Sequence, residues 1–453
     1  MMLRYLAVAA VSAWSVVGVA AEVPLLTPDD VFTLALEHDP VYAAAVAEQA
    51  AGSQAYRIRR ASVRPSLSAN AGVARVDRRI ESEFFTGGSG GAFEENYDEY
   101  NYGVSLTQPL FRWDLLSQLD IGRVEVVAAE VALKRTRQEL MGRLARAYVE
   151  VLGANDGLQT AQSRREAVQR QLDQVRDQVD VGAVAITGLR EAEAEFDLSE
   201  AEVIDAQLRV DDAVDQLARI IGTAAFELAP VQSVEPLQEA TSRPLADWLI
   251  AAQERNTNVV AARLRAEVAR LDIRTNESSR LPQLDLTASY GRNDTSESMI
   301  GQDAEEGRIG LNLTVPIFTG GANVARLDAA RATYLQRSEE LRAARELAES
   351  EVRTAWRTVR ASKRRIAARE RAMRSTRTAL RAVRDGYEVG TRTLSDVLAA
   401  EQSALRAIQE FNAARHDYVV AVVDLKLAAG TVTDADIPKI DAVFTGNETG
   451  NVK

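Results

Sequence analysis

The residue types on which most enzymes depend are scarce in this chain. It has no cysteine and only two histidines, His38 and His416. Disulfides, thiolate metal sites and cysteine nucleophiles are therefore excluded, and imidazole catalysis or metal binding has almost nothing to work with. No phosphate-binding glycine loop, zinc-binding histidine pair or serine-nucleophile elbow is present. Asp and Glu are numerous but dispersed along helices together with Arg, the pattern of a solvated face. No enzyme activity, cofactor or metal is expected. What does recur is a turn: DGYEVGTRTLSDVL at Asp385 to Leu398, with a degraded copy, DQVDVGAVAITGLR, at Asp177 to Arg190. In both copies a Val-Gly pair (Val181-Gly182, Val389-Gly390) ends one helix, because glycine takes the left-handed conformation without steric cost. Thr187 and Ser395 stand at N-cap positions for the helix that returns. Each copy is the tip of a helical hairpin.

The 453 residues carry a net charge of -12, which argues against nucleic acid as a partner. The start, MMLRYLAVAAVSAWSVVGVAA, has one early positive charge at Arg4, a short apolar run and small residues before Glu22, and reads as a signal peptide over 1–21. No other apolar run reaches the ~18 residues of a membrane helix. Any membrane crossing must use strands.

The elements around the tips form two matching halves. Residues Thr27 to about Arg64 read as one helix; Pro65 then opens a strand in which Leu67, Ala69, Ala71 and Val73 alternate with small or polar residues. A Gly-rich, acidic and aromatic loop (Phe84 to Tyr100) leads to a second strand through Tyr102, Val104 and Leu106 to Pro109. A helix of about 68 residues, ~100 Å long, follows to Val181. From Leu140 to Val179 it carries a heptad seam in which only Arg165 is not apolar, so it needs a packed partner. The returning helix ends at Gly222. After a linker with Pro230, Pro236 and Pro244 the plan repeats: a helix over Leu245 to Arg280, strands through Leu284 to Tyr290 and Ile309 to Val315, a long helix from Gly320 to Tyr387, the second tip, and a return to Gly430. The expected domains are 22–222 as first repeat, 223–244 as linker, 245–430 as second repeat and 431–453 as a polar tail, partly disordered.

Each half thus supplies two strands with one apolar face, long enough to cross a bilayer when tilted. Four strands cannot close a barrel, and open edges in lipid leave unpaired amides, so a barrel must be shared between copies. Phe111, Trp113, Tyr290 and Phe318 near strand ends suit either an interfacial girdle or simple packing. Long helices with small residues on their seams suit the wall of a hollow tube. The rival reading is a non-conducting periplasmic coiled-coil scaffold, against which the alternating strands argue.

GYEVGTRTLSDVL (Gly386 to Leu398), VGAVAIT (Val181 to Thr187), LPQLDLTASYG (Leu281 to Gly291) and VPIFTGG (Val315 to Gly321) resemble the TolC family of outer-membrane efflux and secretion channels over essentially the whole mature chain. The resemblance implies a mainly α fold with a small β part: a homotrimer whose twelve-stranded barrel sits in outer-membrane lipid above a helical tunnel across the periplasm. The linker around Val231 and the tail would form an equatorial belt. It implies a passive duct for exported protein or small compounds, opened when a periplasmic adaptor and an inner-membrane pump dock at the tips. Docking then falls to Val181, Gly182, Ala183 and Val184 on one tip and Val389, Gly390 and Thr391 on the other. Tyr387 and Arg392 match the family's tie-forming residues, and Asp396 an acid of the narrowest ring. Two positions depart from the pattern: Gly188 stands where an Asp would partner the tyrosine, and Ala399 where a second ring Asp is expected. Asp180 is a candidate substitute partner for Tyr387; packing of Tyr387 at a seam is the other reading.

Overall fold

A computed structural model describes residues 24–81, 92–183, 185–237, 242–296 and 303–445. The expected signal peptide, residues 82–91 around the first Gly-rich loop, and the last eight residues of the tail lie outside them. The described chain is mainly helical. Its helices are α1 (Pro28–His38), α2 (Pro40–Gly52), α3 (Ala55–Ala61), α4 (Trp113–Asp180), α5 (Ile186–Ile221), α6 (Leu245–Arg255), α7 (Thr257–Ser278), α8 (Ala322–Glu388), α9 (Leu394–Ala428) and α10 (Ile437–Thr445). Strands β2 (Ser66–Glu81), β3 (Ala92–Phe111), β5 (Gln283–Ser296) and β6 (Ala304–Thr314) form one antiparallel sheet in that order. The short β1 (Leu25–Leu26) and β4 (Glu227–Leu228) pair in parallel.

The register of the large sheet sorts its two faces. Leu67, Leu106, Ala288 and Ile309 align in one row across the four strands, and Ser68, Ser105, Ser289 and Arg308 in the neighbouring row on the opposite face. Ser68 and Ser105 hydroxyls lie 2.8 Å apart. The apolar face is open, with Leu67 70% and Ile309 82% exposed. A period of two on every strand in a common register makes one side of the sheet apolar through Leu67 to Val73, Val104 to Leu106, Leu284 to Tyr290 and Ile309 to Leu313, and past these stretches the same side carries Arg292, Asp294 and Glu305. The strands outrun the alternating segments read from sequence. Beyond them, pairing continues through polar contacts such as Arg79 to Glu94 at 3.0 Å, and Asp294, past the alternating part of β5, accepts from Tyr102 Oη at 2.6 Å. The register slips between Pro109 and Phe111, where the proline has no N–H to donate.

Along α4, the half near the sheet packs against α2, α3 and α7, and the half near the tip against α5 and α9; α8 packs on α9. The tipward wall therefore runs α5, α4, α9, α8. The seam residues Leu140, Leu144, Val151, Ala161, Val168 and Leu172 are buried. Arg165, the charged residue in that seam, lies over the Phe196 ring and reaches Glu200 of α5 at 3.1 Å.

Two helices expected to be continuous are broken at equivalent points. The first splits at Asp39, whose carboxylate accepts from the Val41 and Tyr42 amides and meets Arg143 of α4, with Pro40 opening α2. Between α2 and α3 it breaks again near Ser53. The later helix splits at Asn256, whose side chain caps α7 and donates to the Ala428 carbonyl at 2.8 Å. In each half the break sits beside the glycine that ends the returning helix. A Cβ on Gly222 would come within 2.7 Å of His38, and one on Gly430 within 2.3 Å of the Arg255 carbonyl.

The described part of the tail packs on the linker. α10 buries Val443 and Phe444, Tyr148 packs edge-on to Phe444 at 4.8 Å, and the Val443 carbonyl accepts from the Gln232 and Ser233 amides. Tyr148 Oη donates to the Leu26 and Ala229 carbonyls. A girdle of core residues at mid-height thus joins the N-terminal strand, the linker and the tail.

Candidate functional site: the hairpin tips

The two tips have the same backbone. Gly182 and Gly390 adopt φ of 73° and 78°. At the first, the Ala183 amide donates to Gln178 O at 2.8 Å and the Gly182 amide to Val179 O at 2.9 Å; at the second, Thr391 donates to Gly386 O at 2.8 Å and Gly390 to Tyr387 O at 3.0 Å. This pair of bonds satisfies the last carbonyls of each long helix and requires a residue in the left-handed region. A Cβ on either glycine would meet nothing within 4 Å, so the constraint there is conformational rather than steric. Val181 and Val389 are 79% and 74% exposed, and Ala183 and Thr391 are exposed as well. Val184 lies outside the described residues.

The returning helices start differently from the expectation. Neither Thr187 nor Ser395 is a cap. Ala185 occupies the first N-cap position without a side-chain bond, whereas Thr393 caps α9 in a box with Asp396. Thr393 is extended, so its hydroxyl reaches the Asp396 amide at 3.2 Å while Asp396 Oδ2 accepts from the Thr393 amide at 2.9 Å and its hydroxyl at 3.0 Å. The Thr393 amide, then its hydroxyl, and then the charge of Arg392 hold the Asp396 carboxyl below the usual range. Asp396 therefore stays ionised at neutral pH, with one oxygen committed to the helix start.

Tyr387 and Arg392 are exposed, and neither side chain makes a hydrogen bond within the protomer. Within the protomer no bond joins Tyr387 to Asp180, the exposed last residue of α4, and Tyr387 is 42% exposed. Gly188 lies in the first turn of α5, and Ala399 is exposed on α9. Two further residues belong with the tips. A Cβ on Gly386 would meet Arg392 Cγ at 2.8 Å, so this glycine lets the arginine cross the end of α8. Glu401 lies 3.2 Å from Arg384 of α8 and 3.7 Å from Arg170 of α4, joining the two hairpins. Neither has a local signature that separates it from the other glycines and surface acids of the chain. Among the described residues no cluster is arranged to hold a metal ion, and no helix is long and apolar enough to cross a membrane.

Residues 31–223 and 248–431 both match the family model described as outer membrane efflux protein. The chain belongs to this family. Among its relatives, the outer membrane protein TolC of Vibrio cholerae is 30% identical over 417 residues, covering 91% of this chain and 92% of the relative. The alkaline protease secretion protein AprF of Pseudomonas aeruginosa is 31% identical over 433 residues, covering 93% and 88%. The fold is shared with the CmeC outer membrane channel of Campylobacter jejuni, at a TM-score of 0.74, 16% identity and coverage of 92% and 89%. It is also shared with the open state of the MtrE channel of Neisseria gonorrhoeae, at 0.68, 21%, 90% and 91%. As an outer membrane efflux protein the chain is a channel component of the outer membrane, and members of its family act as ducts. The exposed apolar face of its sheet is the surface that such a location requires.

Proposed function

We propose that three copies of this chain assemble into a passive exit duct that passes through the outer membrane and reaches across the periplasm. The observation that carries this reading is the four-stranded sheet with one apolar face and two free edges, β2 and β6. In lipid those edges are tolerable only if neighbouring copies pair them into a closed twelve-stranded barrel. In this reading residues 1–21 are a signal peptide, 22–222 and 245–430 are two repeats around an equatorial linker at 223–244, and 431–453 complete the belt. The tips, from Val181 to Val184 and from Val389 to Thr391, dock a periplasmic adaptor that belongs to an inner-membrane pump. Tyr387, Arg392 and Asp396 form the closing ring: the free Tyr387 and Arg392 side chains are available to partners on a neighbouring copy. Relatives named for protease secretion align over 93% of the chain, which supports exported protein as a cargo class beside small compounds. A non-conducting scaffold would have no use for the lipid-facing rows.

The test combines native mass in mild detergent with two substitutions, Gly182→Val and Gly390→Val, which place a β-branched residue at positive φ. The expected result is a complex of three copies for both variants, with crosslinking to the adaptor and export lost. Normal export by both variants would remove the docking assignment. A detergent-independent soluble monomer would remove the duct.

A further inference from the structure

Because the tipward wall runs α5, α4, α9, α8, its two outer helices each pack on one neighbour and turn the opposite face outward. Those faces differ in charge. Between Arg353 and Arg384, α8 carries twelve Arg or Lys and a single acid, Glu370, whereas α5 carries ten Asp or Glu and three Arg. Part of this charge is satisfied inside the protomer, through Arg365 to Asp417 and Arg369 to Glu410 on one side and Arg164 to Glu195 and Glu202 on the other. The remainder is patterned. Two positions before Val359, Ile366 and Met373, which face α9, stand Arg357, Arg364 and Arg371, on the far side of the helix. Two positions before the buried Ser199, Ala206 and Ala213 of α5 stand Asp197, Ile204 and Asp211, with Asp205 and Asp215 alongside. None of these arginines or aspartates has an ion pair within the protomer. Exposed apolar residues on the same edge of α5, Ile204 at 69% and Leu208 at 58%, show that this face is not built only for water.

The protomer contains a template for the missing contact. Its internal seam joins the long helix of the first hairpin, α4, to the short helix of the second, α9, through Arg146 to Asp424 at 2.6 Å and Arg170 to Glu401 at 3.7 Å. Aligning the hairpins on Gly182 and Gly390 maps these pairs onto Thr354 of α8 beside Gln216 of α5, and Thr378 beside Glu193. An antiparallel seam in that register sets Arg357 between Asp211 and Asp215, Arg364 next to Asp205, and Arg371 within one turn of Asp197.

We propose that the basic face of α8 and the acidic face of α5 are the two halves of the seam between copies of this chain, paired in that register. The inference rests on the three-copy reading above and names the surfaces that make it. The contact is head-to-tail, which closes into a ring, and it has the same sense as the sheet, where β6 of one copy meets β2 of the next. Like edges repel, so charge selects the one pairing that closes the ring and disfavours the others.

Since the chain has no cysteine, introduced pairs report without background. Full-length Arg357→Cys/Asp211→Cys protein, treated in detergent with a short bismaleimide that spans the reach of an Arg–Asp pair, is expected to give crosslinked species of two and three copies. Arg170→Cys/Glu401→Cys, within one protomer, serves as the folding control and should be bridged by the same reagent without joining copies. The triple reversal Arg357→Glu/Arg364→Glu/Arg371→Glu is expected to lose the complex at low salt, and adding Asp205→Arg/Asp211→Arg/Asp215→Arg to restore it. A three-copy mass with no crosslink between 357 and 211, or one indifferent to reversal, would overturn the seam and leave the duct standing. A one-copy mass for the native protein, with the control crosslink formed, would overturn the three-copy reading and the seam with it.

Discussion

Arg170 of the first hairpin lies 3.7 Å from Glu401 of the second, and the same carboxylate lies 3.2 Å from Arg384 on its own hairpin. One acid, with its side chain only 21% exposed, therefore ties α4, α8 and α9 together a few turns above the tips. Any movement that splays the two hairpins must break it.

Replacing Glu401 by Gln keeps its shape and removes the charge. Partly exposed pairs of this kind contribute about 1 kcal/mol or less, so the folded protein should be retained while the closed-to-open balance shifts by up to about fivefold per protomer. Single-channel recording in planar bilayers should show a raised open fraction. An unchanged open fraction would mean that the hairpins do not separate along this seam.

The unbonded Tyr387 side chain and the bare Gly188 predict a gain of closure. Gly188→Asp should supply the carboxylate that Tyr387 lacks and lower the open fraction. Ala399→Asp adds a second acid one turn from Asp396, and should strengthen block by divalent or trivalent cations because such block follows the charge density of a ring. The readout is conductance with and without the cation, and identical block in both proteins would remove Asp396 from the constriction.

His416 of α9 is buried against Gly153 of α4, with Arg415 and Asp417 beside it on its own helix and Asp156 across from Arg415. Burial, then the charge of Arg415, pushes its pKa down to about 4. The folded form thus binds fewer protons than the unfolded form as pH falls. The stability present above about pH 6.5 is lost progressively down to about pH 4, by about 3 kcal/mol per protomer. Burial raises the Asp156 carboxyl pKa, and this opposes the trend at the low end of the window. Thermal melts across that range should show a steeper decline for the native protein than for His416→Leu; parallel curves would show that His416 is not desolvated.

The paired helix breaks predict a graded series at mid-height. Asn256→Ala removes the cap of α7 and leaves the Ala428 carbonyl without its donor, for a loss of about 2 kcal/mol. Asp39→Asn keeps a capping oxygen but removes the ion pair with Arg143, whereas Asp39→Ala removes both, so the alanine variant should melt lower than the asparagine one. Equal melting temperatures for the two would show that the pair with Arg143, not the cap, sets the break.

Local periodicity carried a large part of this architecture. The change from period two at Leu67 to a heptad seam at Leu140, the glycines at 182, 222, 390 and 430, and the repetition of all of them were legible because each depends on residues a turn or a strand step apart. The two long helices and their returns lie within one or two residues of where that pattern set them. What only the tertiary structure decided are features whose cause lies far along the chain. The break at Asp39 needs Arg143 and the break at Asn256 needs Ala428. The tail folds because Tyr148 and the linker give α10 a surface to bury, which its polar composition conceals. The caps at Ala185 and Thr393 depend on backbone angles that neighbouring threonines and serines do not distinguish. Glu401 reads as one more surface acid until the packing of α4 on α9 brings Arg170 beside it. A sequence window reports the face that a helix must bury, but the identity of the partner on that face is set by the topology of the whole chain.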